Sequence, residues 1–255
     1  MSKKTLMTLV ASLGFLALTV LSVFGFAATH QAAHAAAGSK TVHLAFTGLI
    51  SAGQGKGTPL TGGLTEVVQN GGAFAGALTL PGGAKIPTTG QITGAKISIT
   101  FAVSATVSIT GTGKFEKTGD YIGHFQVFAG KNKTADGIWS ALPVVNNPSV
   151  IALAFVGVDD KGPDTGAIYT GAIVLNSRTL VGTFSLPTGA VIPVTAKIGA
   201  DGQIRVDFHL SATTHIIGEG QPVKTTAGVL SGFAGGFKGP QVGDMGKWVS
   251  AVFTF

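Results

Sequence analysis

His209 and His215 flank the turn Ser211-Ala212-Thr213 and fall on two successive strand-like segments. Imidazole suits zinc and copper, so two histidines brought together across a hairpin could begin a metal site. A zinc site needs at least a third ligand, and the sequence offers no obvious one. His209 follows the polar phase of its segment, beside Arg205 and Asp207. The plainer expectation is therefore a solvated strand face. A second candidate is Asp159-Asp160-Lys161-Gly162-Pro163-Asp164. Carboxylates grouped around a glycine could hold calcium through oxygen, but the alternating spacing and closing Glu of a calcium loop are missing. A charged surface hairpin is expected there. The third candidates are Trp139 and Trp248. They are expected to be core anchors; the functional alternative is an aromatic ring at a barrel mouth that stacks on a ligand.

Catalytic motifs are missing. The chain contains no Gly-x-Ser-x-Gly elbow and no His-Glu-x-x-His. Gly53-Gln54-Gly55-Lys56-Gly57-Thr58 lacks the spacing of a phosphate loop and reads as a hairpin turn. There is no cysteine, which excludes disulfides, thiolate chemistry and Cys-ligated zinc. No cofactor is expected, and the chain is expected not to be an enzyme. The alternative is a site confined to one half, built from Asp159, Asp160, His209 and His215.

The elements that position these residues occur twice. Leu44-Ala45-Phe46-Thr47-Gly48 returns as Leu153-Ala154-Phe155-Val156-Gly157, and Leu80-Pro81-Gly82-Gly83 as Leu186-Pro187-Thr188-Gly189. Gly111-Thr112-Gly113 returns as Gly218-Glu219-Gly220, and Gly137-Ile138-Trp139 as Gly246-Lys247-Trp248. A period this long is a duplicated domain rather than a solenoid repeat. The divisions expected are a leader at 1–37, a first copy at 38–145 and a second at 146–255, joined by a linker at Pro143–Ser149. What recurs is mostly Gly, Pro and apolar residues, so the shared design is a scaffold.

Each copy reads as all-β. Ile97, Ile99, Phe101 and Val103 alternate with Lys96, Ser98, Thr100 and Ala102; Ile204, Val206, Phe208 and Leu210 keep the same period. That alternation marks strands with one buried face. About eight strands are expected per copy, in the first near 42–49, 59–68, 74–80, 84–92, 96–103, 106–112, 121–128 and 137–142. The Leu-Pro-x-Gly segments suit tight hairpins. Asp201-Gly202 suggests a two-residue type I′ turn, and Pro87 and Pro193 suggest an edge or a bulge. Sequential hairpins favour two small antiparallel up-and-down barrels, with a β-sandwich as the alternative. The apolar residues suffice to fill the barrel interiors. With its short strands, Gly-rich turns and late Trp, the unit resembles the avidin and calycin barrels in architecture. No biotin-binding residue carries over.

Lys3 and Lys4 precede an uncharged run over 5–28, and small-residue cleavage sites end at Ala37. This pattern predicts a secretory signal; its length also suits an uncleaved membrane anchor. Without Lys3 and Lys4 the chain holds 15 basic and 11 acidic residues, scattered rather than clustered. Nucleic acid is therefore not an expected partner. The expectation is an exported, secreted or surface-held, non-enzymatic tandem β-domain protein. It would act by binding a small ligand or cell-surface component, or as structural material. A sixteen-stranded outer-membrane barrel ending at Phe255 is a further alternative, weakened by the scarcity of Trp and Tyr for aromatic girdles.

Overall fold

The computed structural model describes residues 39–144, 147–224, 230–239, 241 and 243–252, and every regular element among them is a β-strand. The leader expected at 1–37, part of the linker and the last residues, 253–255, lie outside the described residues. The first copy consists of β1 (Lys40–Gly53), β2 (Pro59–Val68), β3 (Ala73–Thr79), β4 (Lys85–Thr93), β5 (Lys96–Ala102), β6 (Val107–Phe115), β7 (Tyr121–Ala129) and β8 (Asn132–Pro143). The second consists of β9 (Val150–Lys161), β10 (Ile168–Asn176), β11 (Val181–Ser185), β12 (Val191–Ile198), β13 (Ile204–His209), β14 (His215–Lys224), β15 (Leu230–Lys238) and β16 (Met245–Ala251).

Each set of eight antiparallel strands closes on itself, β1 on β8 and β9 on β16. The sandwich and the single sixteen-stranded barrel are thereby replaced by two closed barrels. Closure follows from the alternation: the apolar face of every strand turns inward, and closing the sheet leaves no unpaired edge. Along β5 the inward residues Ile97, Ile99 and Phe101 are buried, whereas Lys96 and Ser98 are exposed.

The hairpins follow the Pro and Gly positions. The Gly83 amide donates to the Leu80 carbonyl at 2.8 Å and the Gly189 amide to Leu186 at 2.9 Å, with both glycines at positive φ. The Asp201-Gly202 expectation is corrected. Ile198 pairs with Ile204, so the connection is five residues long, closed by the Gly202 amide on the Gly199 carbonyl. The two-residue hairpin occurs instead in the first copy, where Thr93 pairs with Lys96 across Gly94-Ala95. Pro87 and Pro193 pair on one side only, with Ala77 and Thr183; the ladders to β5 and β13 begin one residue later. Each proline thus occupies a locally edge-like stretch of a closed sheet, without a bulge.

Two aromatic-over-glycine contacts define the shared interior. A Cβ on Gly113 would lie 2.5 Å from the Trp139 ring, and one on Gly220 2.6 Å from the Trp248 ring. Likewise a Cβ on Gly137 would meet Phe125 at 2.1 Å, and one on Gly246 would meet Phe237 at 2.2 Å. The recurring glycines are the floor on which recurring rings lie.

Both barrels belong to one compact unit, Lys40–Phe255. Their interiors are separate apolar clusters, and smaller clusters join them from outside. Leu49 and Ile138 pack against Val156, Val158 and Val249, and Leu142 against Ala154 and Ala172. Strand β1 meets β9; β1 meets β16 as β9 meets β8, and β2 meets β16 as β10 meets β8.

Candidate functional site

The strand order places the connections β9–β10, β11–β12, β13–β14 and β15–β16 at one end of the second barrel. A cavity of about 270 Å³ opens there. Phe155, Phe184, Phe208, Phe237 and Trp248 line it, together with Leu186, Ile192, Leu210 and Ile216 toward the rim. Tyr169 and Asp164 complete the wall. Phe155 stacks on Trp248 with ring centroids 5.7 Å apart and meets Phe184 and Phe208 edge-on. The Trp248 indole N–H donates to the Gly236 carbonyl at 3.0 Å, which fixes the ring.

The expectation of filled interiors therefore fails for the second barrel at its mouth. In the first barrel the matched residues Phe46, Phe101 and Trp139 are each 1% exposed, against 4%, 5% and 3% for Phe155, Phe208 and Trp248. One difference in sequence sits at this mouth. Ile50, two residues beyond Gly48, packs on the first core; Asp159, two residues beyond Gly157, takes its place in the second. The Asp159 carboxylate accepts the Lys161 amide at 3.3 Å and is drawn to the loop rather than filling the interior.

Asp159 stands beside two further carboxylates. Asp244 accepts the backbone amides of Asp164 at 3.4 Å and Gln241 at 3.3 Å, and Asp164 accepts the Gln241 side-chain amide at 3.2 Å. Among the described residues none of these three has a cationic partner within salt-bridge distance. Burial pushes the Asp159 carboxyl up; its neighbours Asp244, Asp164 and Asp160 push the same way, against the Lys161 amide. Burial also raises the Tyr169 hydroxyl, and Asp159, Asp164 and Asp244 add to the shift. The cavity is thus aromatic within, with one carboxylate, Asp164, in its wall and two more, Asp159 and Asp244, buried nearby.

Asp160 turns away from the mouth and pairs with Lys56 of the first barrel at 3.3 Å. Asp159, Asp160 and Asp164 are not among the groups of three ligand atoms within 4.8 Å of one another in the described residues. Asp207, His209 and His215 do form such a group. His209 pairs directly with His215 across β13 and β14, and their rings lie edge-to-face with centroids 4.6 Å apart. His215 Nδ1 lies 2.8 Å from an Asp207 oxygen, and His209 Nε2 lies 3.2 Å from the Thr195 hydroxyl. The polar phase read for His209 is correct, and that same phase supplies Asp207, two residues earlier on one strand face. Asp159 and the two histidines, grouped as an alternative catalytic set, lie apart: the acid is buried at the barrel mouth, the imidazoles on the outer face.

Trp139 and Trp248 are both interior. Trp139 stacks on Phe46 with centroids 5.8 Å apart and donates to the His124 carbonyl at 3.2 Å in a closed core; Trp248 borders the cavity. Asp244 and Asp207 are the residues of these candidate sites that composition and spacing did not single out. A second concavity of about 400 Å³ lies on the outer face of the first barrel, among Ser51, Thr110, Thr112, His124, Gln126 and Asp136. Its walls are mixed polar and apolar, and the Phe125 ring at its base belongs to the core. No family model and no curated protein matches the sequence.

Proposed function

We propose that the chain is an exported, non-enzymatic binding protein whose second barrel takes one small organic cation with an aromatic or alkyl body. The first barrel serves as a packed structural partner. The observation that carries this reading is the cavity of about 270 Å³ lined by Tyr169, Trp248 and Asp164, with the buried Asp159 and Asp244 close enough to act on the Tyr169 hydroxyl. Eight-stranded barrels either fill with side chains or hold one small ligand, and this chain has a packed interior beside one with room. The rings supply apolar contact and a negative π-face for a cation, and the unmatched carboxylates add attraction in a poorly solvated place. Export is supported by Lys3, Lys4 and the uncharged run at 5–28.

Apolar interiors with Lys96, Ser98, Arg205 and Asp207 on the outer faces reverse the pattern of a lipid-facing barrel. That contrast favours binding in solution or at a surface over an outer-membrane pore.

Trp139→Phe leaves Trp248 as the only indole. Its emission is to be titrated with phenethylamine, ethylbenzene and 3-phenylpropionate, which share one ring and differ in charge. The expected order is amine tightest and carboxylate weakest, with Asp164→Asn reducing the preference for the amine. The reading is overturned if no probe alters Trp248 emission, or if the carboxylate binds as tightly as the amine.

A further inference from the structure

We infer that Asp207, His209 and His215 form a site for one divalent transition-metal ion, Zn²⁺ or Cu²⁺, on the outer face of the β13–β14 hairpin. The three ligand atoms lie within 4.8 Å of one another, and each side chain is half-buried, reachable from solvent yet held by neighbours. Two imidazoles and a carboxylate are donors that zinc and copper accept, and three protein ligands leave a further position for water. The contacts already present orient the group. The Thr195 hydroxyl meets His209 Nε2, and Asp207 meets His215 Nδ1 at 2.8 Å. An ion would enter between Asp207 and His215 in place of that hydrogen bond. The Arg205 guanidinium, two residues before Asp207, is paired with Glu219 at 2.9 Å.

The duplication provides the control. The first barrel builds the same hairpin, with Ala102 paired to Ser108 as His209 is to His215. Thr100, one residue before Phe101, stands where Asp207 precedes Phe208. The fold therefore forms with no ligating side chain at these places, and the histidines and aspartate are additions of the second copy. The inner face of their hairpin carries Phe208, Leu210 and Ile216, which line the cavity. The metal site itself does not depend on what that cavity binds.

Protein carrying no affinity tag is to be titrated calorimetrically with ZnCl₂ and with CuCl₂. One ion per chain is expected. Replacing each ligand by its first-copy counterpart, Asp207→Thr, His209→Ala or His215→Ser, is expected to lower affinity at least about tenfold. His43→Gln and His124→Gln are expected to titrate like the parent. Electron spin resonance of the Cu²⁺ complex of the unmodified protein requires no variant to fold and is expected to show two nitrogen donors. Absence of saturable binding, wild-type affinity in His209→Ala or His215→Ser, or a copper sphere with fewer than two nitrogens overturns the inference.

Discussion

Glu66 points into the first barrel, 3% exposed, where it accepts the Thr88 hydroxyl and leaves its second oxygen unpaired. Burial raises its pKa from 4.5 to about 7, against the lowering effect of Thr88. Its native form is therefore more protonated than its unfolded form between these values. Below pH 4.5 both states hold the proton and nothing is lost. As pH rises toward 7 the unfolded carboxyl ionises first and stability falls, and above that it levels off. The loss is at most about 3 kcal/mol and is smaller to the extent that water screens the group. In Glu66→Gln this loss disappears, so the variant's melting temperature should gain on the parent's from pH 4.5 to 7. A gap that does not vary with pH would mean that the native carboxyl is already solvated. The second barrel avoids this problem: Leu175 and Val194 occupy the matched positions and are buried.

The strand pattern was largely legible because its causes are local. Period-two alternation, Pro followed by Gly and the duplicated order of segments each act within a few residues. Two kinds of information were not local. One is register: His209 faces His215 only because the Leu210–Thr214 connection sets that pairing, and Asp207 joins them through a neighbouring place on the same face. The other is packing. Recurring Gly-x-Gly and recurring Trp were both visible, but their contact across the barrel was not, nor was Asp244 joining Asp164 from 80 residues away. The same contact yields a prediction for these elements. Gly220→Ala places a methyl 2.6 Å from the Trp248 ring and forces the indole to shift. It should destabilise by about 1–3 kcal/mol in denaturant melts and alter Trp248 emission. Gly202→Ala, whose Cβ would lie 3.5 Å or more from its neighbours but at φ 82°, should cost stability without altering that emission.

Across the whole molecule, each barrel offers its first and last strands to the other. Contacts come in exchanged pairs, β1 with β16 and β9 with β8, the pattern of an isologous interface. Leu49 and Ile138 on one side, and Val156, Val158 and Val249 on the other, are buried there. Proteolysis within 144–149 should therefore leave the two halves associated, co-eluting on size exclusion under native conditions. Val156→Asp should weaken that association in the nicked protein, because it puts an unpaired charge in the seam. Separate elution of the halves without any substitution would show that the seam is held by the tether alone.

The exchange of Ile50 for Asp159 acquires its meaning from that seam. Two identical subunits meeting through the same strands would carry every mutation twice, hollowing both mouths or neither. Written into a single polypeptide, the copies are released from that obligation, so one can stay a solid buttress while its sibling turns hollow.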